Sequence, residues 1–494
     1  MIDRFADNAS QPPNAAAPDY DVVIIGAGLS GVGAAWHLQR RRPRTRFVIL
    51  EARGAIGGTW DLFRYPGMRS DSDMFTLGYR FQPWRRAEAI VEGGAIRDYV
   101  REAAQSAGVD KKIRFRHRVT SLDWSSNNRL WTLNVQTPNG PAQITSRFVW
   151  NCAGYYRYKE GYTPDYAGRS AFKGRLIHPQ HWPEDLNVTD KKIAIIGSGA
   201  TTVTLAPALA KAGGEVTIVQ RTPSYVYAMA SVGLFAKALY ALAPSRAAYH
   251  IIRLQRIILQ QTSYQIARRF PRFMKNQLIN QATEKLGGRA DLAAHFSPDY
   301  APWDQRVCLA PDDDLFNAIR DGRVDMKTDT IETFTETGLR LRASGALDAD
   351  IVVSATGLIL EALGGADVHV DGALVETGKR LTYKGIMFEG VPNLVSVFGY
   401  TNASWTLRAD LISDFVCRLL AHMQETGALS ATPVNDDPDM PRTPYLDFTS
   451  GYVARANAIL PKQGRGPWRN PQNYFKDIWS MRFARLTDGV LRFE

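Results

Sequence analysis

The sequence predicts an α/β fold: two parallel-sheet units, each opening as strand, glycine loop and helix, with a helical stretch inserted in the second. Three observations predict it. DVVIIGAGLSGVGAAWHLQ, from Asp21, and KKIAIIGSGATTVTLAPALA, from Lys191, share one grammar: an apolar run of strand length, glycines, then helical periodicity. Each is followed by a second apolar run, RFVILE ending at Glu51 and EVTIVQRTP holding Gln220 and Arg221. Two later runs, Arg147 to Tyr156 and Ala349 to Leu358, are apolar strands ending in small residues and glycine.

The bulk numbers exclude several classes. At 494 residues the chain can build two or three domains with ample core. Hydrophobic content of 45% and charged content of 22% are those of an ordinary globular protein. Cys152, Cys308 and Cys417 are far apart, so neither a disulfide framework nor a thiolate metal site is expected, and a reducing cytoplasm suits them. Residues 1–18 read as a disordered lead-in rather than a signal peptide. The net charge of +11 suits nucleic acid, acidic lipid or a polyphosphate cofactor. No aromatic-studded basic strand is present, so nucleic acid is not an expected partner.

In the first loop Gly26, Gly28 and Gly31 hold the three places of GxGxxG. The first allows the tight turn, the second lets the backbone approach a pyrophosphate, and the third allows close helix–strand packing. The helix N-terminus adds free N–H groups and a positive dipole end. Glu51 closes the next strand 20 residues on, where a carboxylate can accept both ribose hydroxyls. This is a Rossmann-like dinucleotide site.

The second loop, Ser198-Gly199-Ala200-Thr201-Thr202-Val203-Thr204, repeats the pattern with Thr202 at the third glycine place. A threonine there is expected to push its helix slightly off the strand. Its next strand ends in Gln220 and Arg221 instead of an acid. An arginine attracts a 2′-phosphate and can bind it bidentately, so Arg221 and Thr222 predict an NADPH-type site.

Beyond Glu51 the chain reads GGTWDLFRYPGMRSDSDM, and between the loops AFKGRLIHPQHWP spells FxGxxxHxxxWP through Phe172, Gly174, His178, Trp182 and Pro183. With PWDQR and GYTNASWTL, these segments resemble the type I Baeyer–Villiger monooxygenases of the flavin monooxygenase superfamily along nearly the whole chain. The resemblance implies an FAD site touched by Ser30, Glu51, Thr59, Trp60, Asp61 and Leu62. The loop Arg69-Ser70-Asp71 then lies at the cofactors, and the Val119 amide faces the adenine. Reduced FAD would meet O2 to form a C4a-peroxyflavin that attacks a ketone. A negative oxygen then needs fixed positive charge in a water-poor cavity. By resemblance that charge is Arg306, oriented by Asp71; an arginine cannot protonate the peroxide. Many members carry a lysine just before this arginine; here Gln305 stands, which leaves the strength of the NADPH preference open.

The resemblance also sets the domain plan: FAD domain 19–160 and 363–494, NADPH domain 161–222 and 305–362, helical insertion 223–304. Within the insertion, 225–243 is mostly apolar and approaches membrane-spanning length. A helical subdomain capping the substrate cavity is expected, with peripheral membrane contact through 225–270 as the alternative. Trp405 reads as cavity wall or core aromatic. The expected substrates are a small lipophilic ketone or thioether with O2. The rival reading is an N- or S-oxygenating flavin monooxygenase without ester formation. The missing cysteine pair near the first helix argues against a flavin–disulfide reductase.

Overall fold

The computed structural model describes residues 17–494, so the expected lead-in lies almost wholly outside the described residues. The first sheet has nine strands. β1 (Tyr20–Ile25) leads through Gly26–Gly28 into α1 (Leu29–Arg41), followed by β2 (Phe47–Glu51), β3 (Ile113–Phe115), β4 (Arg118–Ser125), β5 (Leu130–Thr137) and β6 (Gly140–Asn151). β1 runs parallel between β2 and β6, with Val22 opposite Phe47 and Phe148. Its side chains alternate. Val22 and Ile24 join the core formed with Val32, Ala35 and Leu38 of α1. Val23 and Ile25 join the core shared with Trp124 and Trp131 of the antiparallel β4–β5–β6 ribbon. A strand covered on both faces must be apolar throughout, which is why β1 and β2 lack the polar alternation of a surface strand.

The second sheet is five-stranded and wholly parallel. It comprises β7 (Arg175–Ile177), β8 (Lys192–Ile196), β9 (Glu215–Gln220), β12 (Val324–Thr328) and β13 (Ile351–Ser354), in the order β12-β9-β8-β13-β7. α2 (Ala200–Lys211) covers Ile193 and Ile195; a three-stranded meander over 331–348 covers Ala194 and Ile196. Every strand of this sheet lies within 161–222 or 305–362, and the chain then returns to the first sheet through Asp367–Val370 and Leu394–Ser396.

The insertion is mostly helical, but 225–243 is not one continuous helix. β10 (Val226–Met229) pairs with β11 (Cys308–Pro311), and only then comes α3 (Leu234–Leu242). α4 (Ser245–Arg269) and α5 (Pro271–Lys285) follow, and α6 (Asp314–Arg320) comes after β11. α4 is pinned to the first domain by buried Arg253, which donates to the carbonyls of Phe75 and Gly78, both at 2.7 Å. Three orphan carbonyls and the Asp410 carboxylate, 3.5 Å away, compensate its burial. Finally α7 (Trp405–Thr426) packs along α1 and ends at Gly427, in the left-handed region.

Candidate active site

A cavity of about 740 Å³ lies where the two sheets meet, within the size range of small-molecule sites. The first glycine loop forms one wall. Gly26 has φ +98°, and a Cβ on Gly31 would lie 1.9 Å from the Gly26 carbonyl oxygen, so the fold itself demands both glycines. Gly28 differs: its φ is −78°, and a Cβ there would sit 3.6 Å from Gly58 Cα, an ordinary contact. Packing does not require that glycine. What it leaves is a bare backbone wall at the α1 N-terminus, the shape a pyrophosphate needs. Glu51 stands at the end of β2 on the same wall, accepting the N–H of Ala27 at 2.7 Å and of Arg53 at 2.8 Å. Burial raises its carboxyl pKa, and these two bonds oppose the rise. These residues fit an FAD.

The other residues expected at that cofactor divide into two sets. Ser30, Thr59, Trp60, Arg69, Ser70, Asp71 and Val119 line the cavity. Asp61 and Leu62 do not. Asp61 is 2% exposed, and its carboxylate is taken by Arg53 and Arg101, each at 2.8 Å, so it ties the turn at 59–62 to the helix Gly93–Ser106. Arg69 reaches across the domains to Asp314 on α6 with two bonds, 2.6 and 3.2 Å.

Arg306 and Asp71, 235 residues apart in sequence, meet on the cavity wall. Nε lies 3.0 Å from Oδ2, and Nη2 donates to Oδ1 at 3.4 Å. Their side chains are 35% and 28% exposed, and both open onto the cavity. The Asp71 carboxylate raises the guanidinium pKa still further above its ordinary value, with burial opposing. Tyr155, Tyr156 and Trp405 line the same space. The Tyr155 ring stacks on Trp405 at 5.2 Å, the two phenol oxygens are 2.9 Å apart, and Trp405 donates from Nε1 to Ser30 Oγ at 2.7 Å. Burial pushes the Tyr155 phenol up to about 12. Sequence reasoning passed over this tyrosine pair. Its signal was the aromatic doublet directly after the strand-end glycine in NCAGYY.

The second loop touches the same cavity through Ala200, Thr201 and Thr204 only. Gly199, like Gly28, is not demanded by packing: a Cβ would meet nothing within 4 Å. Thr202 is buried, its Oγ1 3.3 Å from where a Gly197 Cβ would be, so α2 stands far enough from its strand to hold a side chain. Ser198, Gly199, Thr202 and Val203 lie off the cavity, as do exposed Arg221 and Thr222. Ser198 Oγ lies 2.9 Å from the Thr222 carbonyl oxygen, which brings the loop beside the end of β9. There Gln220 turns inward, donating to His295 O at 2.8 Å and Thr328 Oγ1 at 2.9 Å, while Arg221 makes no ion pair among the described residues. A loop backbone open to solvent beside an uncommitted arginine fits the 2′-phosphate of NADPH.

The flavin-binding monooxygenase-like family model matches residues 88–363, and a NAD(P)-binding Rossmann-like domain matches 24–87. The chain is 48% identical over 476 residues to the FAD-containing monooxygenase EthA of Mycolicibacterium smegmatis, covering 96% of this chain and 97% of that one. The chain belongs to the flavin-binding monooxygenases. It is also 43% identical over 478 residues to the probable FAD-binding monooxygenase AlmA of Acinetobacter baylyi, covering 96% of each. Its fold matches OTEMO solved with FAD and NADP (TM-score 0.76, 22% identity, 97% and 100% coverage) and cyclohexanone monooxygenase (TM-score 0.74, 18% identity, 96% and 99% coverage). FAD and NADP(H) are the cofactors of this monooxygenase.

In this flavin monooxygenase the FxGxxxHxxxWP segment lines no part of the cavity. It joins the crossing strands instead. The His178 ring lies against Gly161, where a Cβ would come within 1.9 Å of Cε1. His178 Nδ1 accepts the Gln180 N–H at 3.2 Å, which assigns the hydrogen to Nε2, and Nε2 donates to the Gly357 carbonyl at 3.1 Å. Burial lowers the His178 pKa and favours this neutral form. Buried Gln180 donates to the Arg157 carbonyl at 2.8 Å, and Trp182 packs on the core of the second sheet. One short segment therefore holds both crossings, at 157–161 and at 357.

Proposed function

We propose that this flavin monooxygenase inserts oxygen beside the carbonyl of small lipophilic ketones, giving esters or lactones with NADPH and O2, and that it also oxidises thioethers. The observation that carries the reading is the Arg306–Asp71 pair on the wall of an aromatic-lined cavity. Bound FAD, reduced by NADPH, supplies the activation of O2. The chain's part is positional and electrostatic. Gly26, Gly28, Gly31, Ser30, Glu51 and Val119 would hold the FAD dinucleotide. Ser198 to Thr204 with Arg221 and Thr222 would hold NADPH. Arg306 presents a guanidinium where an oxygen added to a carbonyl carries negative charge. It stays protonated at working pH, so it stabilises that charge without giving up a proton. Asp71 takes Nε and Nη2 along one edge of the guanidinium and so fixes its direction. Tyr155 and Trp405 keep the space apolar, which strengthens the charge interaction.

Incubating the FAD-loaded enzyme and NADPH with a panel of ketones and thioethers, with products read by mass spectrometry, tests this. Esters from ketones are expected. Sulfoxides without any ester would transfer the enzyme to the S- and N-oxygenating class.

A further inference from the structure

Twelve of the seventeen exposed large hydrophobic side chains among the described residues fall between Tyr227 and Phe273. They do not serve the cavity: no residue of α3, α4 or α5 lines it, so these helices do not cap it as the sequence suggested. Leu234 and Leu242, at the two ends of α3, are each 85% exposed. On α4, Ile251, Leu254 and Ile258 recur at three- and four-residue spacing on an outward face, while Ile252 and Ile257 are buried. The buried stripe packs on protein, and the outward one, which lies among polar and basic residues, packs on none of the described residues. Beside α4, the Tyr474 N–H donates to Gln261 Oε1 at 3.4 Å, and the turn that follows exposes Trp479, 69% accessible.

The charge of this region has one sign. Between Glu215 and Glu284 the sequence contains no Asp or Glu. Lys237, Arg246, Arg268, Arg269 and Arg272 are all exposed, and only Arg268 is ion-paired, to Asp304. That decides between the two occupants an apolar face could take. A second copy packed through a two-fold axis would set the same basic patch against itself. An anionic bilayer offers both an apolar interior and opposite charge.

We propose that the α3–α4–α5 face seats this monooxygenase on an anionic lipid surface. Leu234, Leu242, Leu254 and Ile258 enter the boundary between headgroups and acyl chains, and Lys237 and Arg272 meet lipid phosphates. The contact is peripheral, since no helix among the described residues is long and apolar enough to cross a membrane. It does not depend on which substrate is oxidised.

The test is co-sedimentation of the full, FAD-loaded chain with vesicles of phosphatidylcholine alone or mixed with phosphatidylglycerol, alongside light scattering for the solution mass. The parent should bind only the anionic vesicles, and salt should release it. Leu254→Glu with Ile258→Glu should cut the bound fraction at least about tenfold. Lys237→Gln and Arg272→Gln should each weaken binding about fivefold. All these side chains are exposed and off the cavity, so NADPH oxidation without lipid should stay at the parent rate. Equal binding to both vesicle types, binding to neither, or full binding by the double glutamate variant would overturn the proposal. So would a parent dimer that the double variant dissolves without any vesicle binding, which would make the face a contact between copies.

Discussion

Replacing Arg306 by alanine separates the two halves of the catalytic cycle. Flavin reduction needs a hydride from NADPH and no positive charge at the substrate carbonyl; ester formation needs that charge. The fold should survive. Arg306 and Asp71 both open onto the cavity, so the abandoned carboxylate can hydrate, and the stability loss should be no more than about 1 kcal/mol. The oxygenation step loses one preorganised stabiliser of negative charge, typically about 2.7–4 kcal/mol, or roughly a hundred- to a thousand-fold in rate. Anaerobic stopped-flow mixing with NADPH reads the first half, and ester formed per NADPH oxidised reads the second. The expected result is flavin bleaching at near the parent rate with ester yield down by about that factor. Arg306→Lys should fall between, because an ammonium cannot match both carboxylate oxygens as the fork does at 3.0 and 3.4 Å. Asp71→Ala should be milder than Arg306→Ala, since the charge remains and only its direction is lost. If Arg306→Ala makes ester at the parent rate, the guanidinium is a wall residue and another group carries the chemistry.

Arg221→Ala should raise the apparent KM for NADPH about 10- to 150-fold, the worth of a charge-assisted contact, and leave that for NADH nearly unchanged; an unaltered NADPH/NADH ratio would contradict the assignment. Gly28→Ala should fold with the parent melting temperature yet bind FAD about 5- to 150-fold more weakly, because its methyl meets cofactor and not protein. Gly31→Ala should fail to accumulate as folded protein, since its Cβ would overlap the Gly26 carbonyl; equal behaviour of the two variants in thermal melts and flavin titrations would refute that division. For His178, burial lowers the folded-state pKa below the unfolded value, so acid protonates the unfolded chain first. The stability tied to its neutral ring is full above the unfolded pKa of about 6.5 and is lost as pH falls below it toward the depressed folded value. His178→Gln should therefore lose less melting temperature than the parent between neutral and mildly acid pH, and identical losses would show that the ring does not stay neutral in the fold.

Much of the architecture was legible because it rests on short-range rules. A buried parallel strand must be apolar on both faces, a turn into a helix needs glycine where φ is positive, and both signals lie within about ten residues of each other. That is why Tyr20–Ile25 and Lys192–Ile196, with their glycine loops and helices, could be read directly. That the apolar run at 225–243 opens with a strand was not legible, because composition does not show that Val226–Met229 has a strand partner 82 residues away at Cys308–Pro311. Asp61 and Leu62 stand next to Trp60 in sequence, but a single helical turn sends Trp60 to the cavity and Asp61 to Arg53 and Arg101.

By itself, then, the sequence determined that this chain carries two glycine-loop units, an acid after one and an arginine after the other, because each depends on spacing along the backbone. The tertiary structure alone decided which side chains share the cavity. Asp71 meets Arg306 and Arg69 meets Asp314 only because the two sheets close on each other, and Ser30 meets Trp405 only because α7 packs along α1. It also decided that the inserted helices face outward with their leucines and isoleucines uncovered. Periodicity shows that a face is apolar, but only packing shows what, if anything, lies against it.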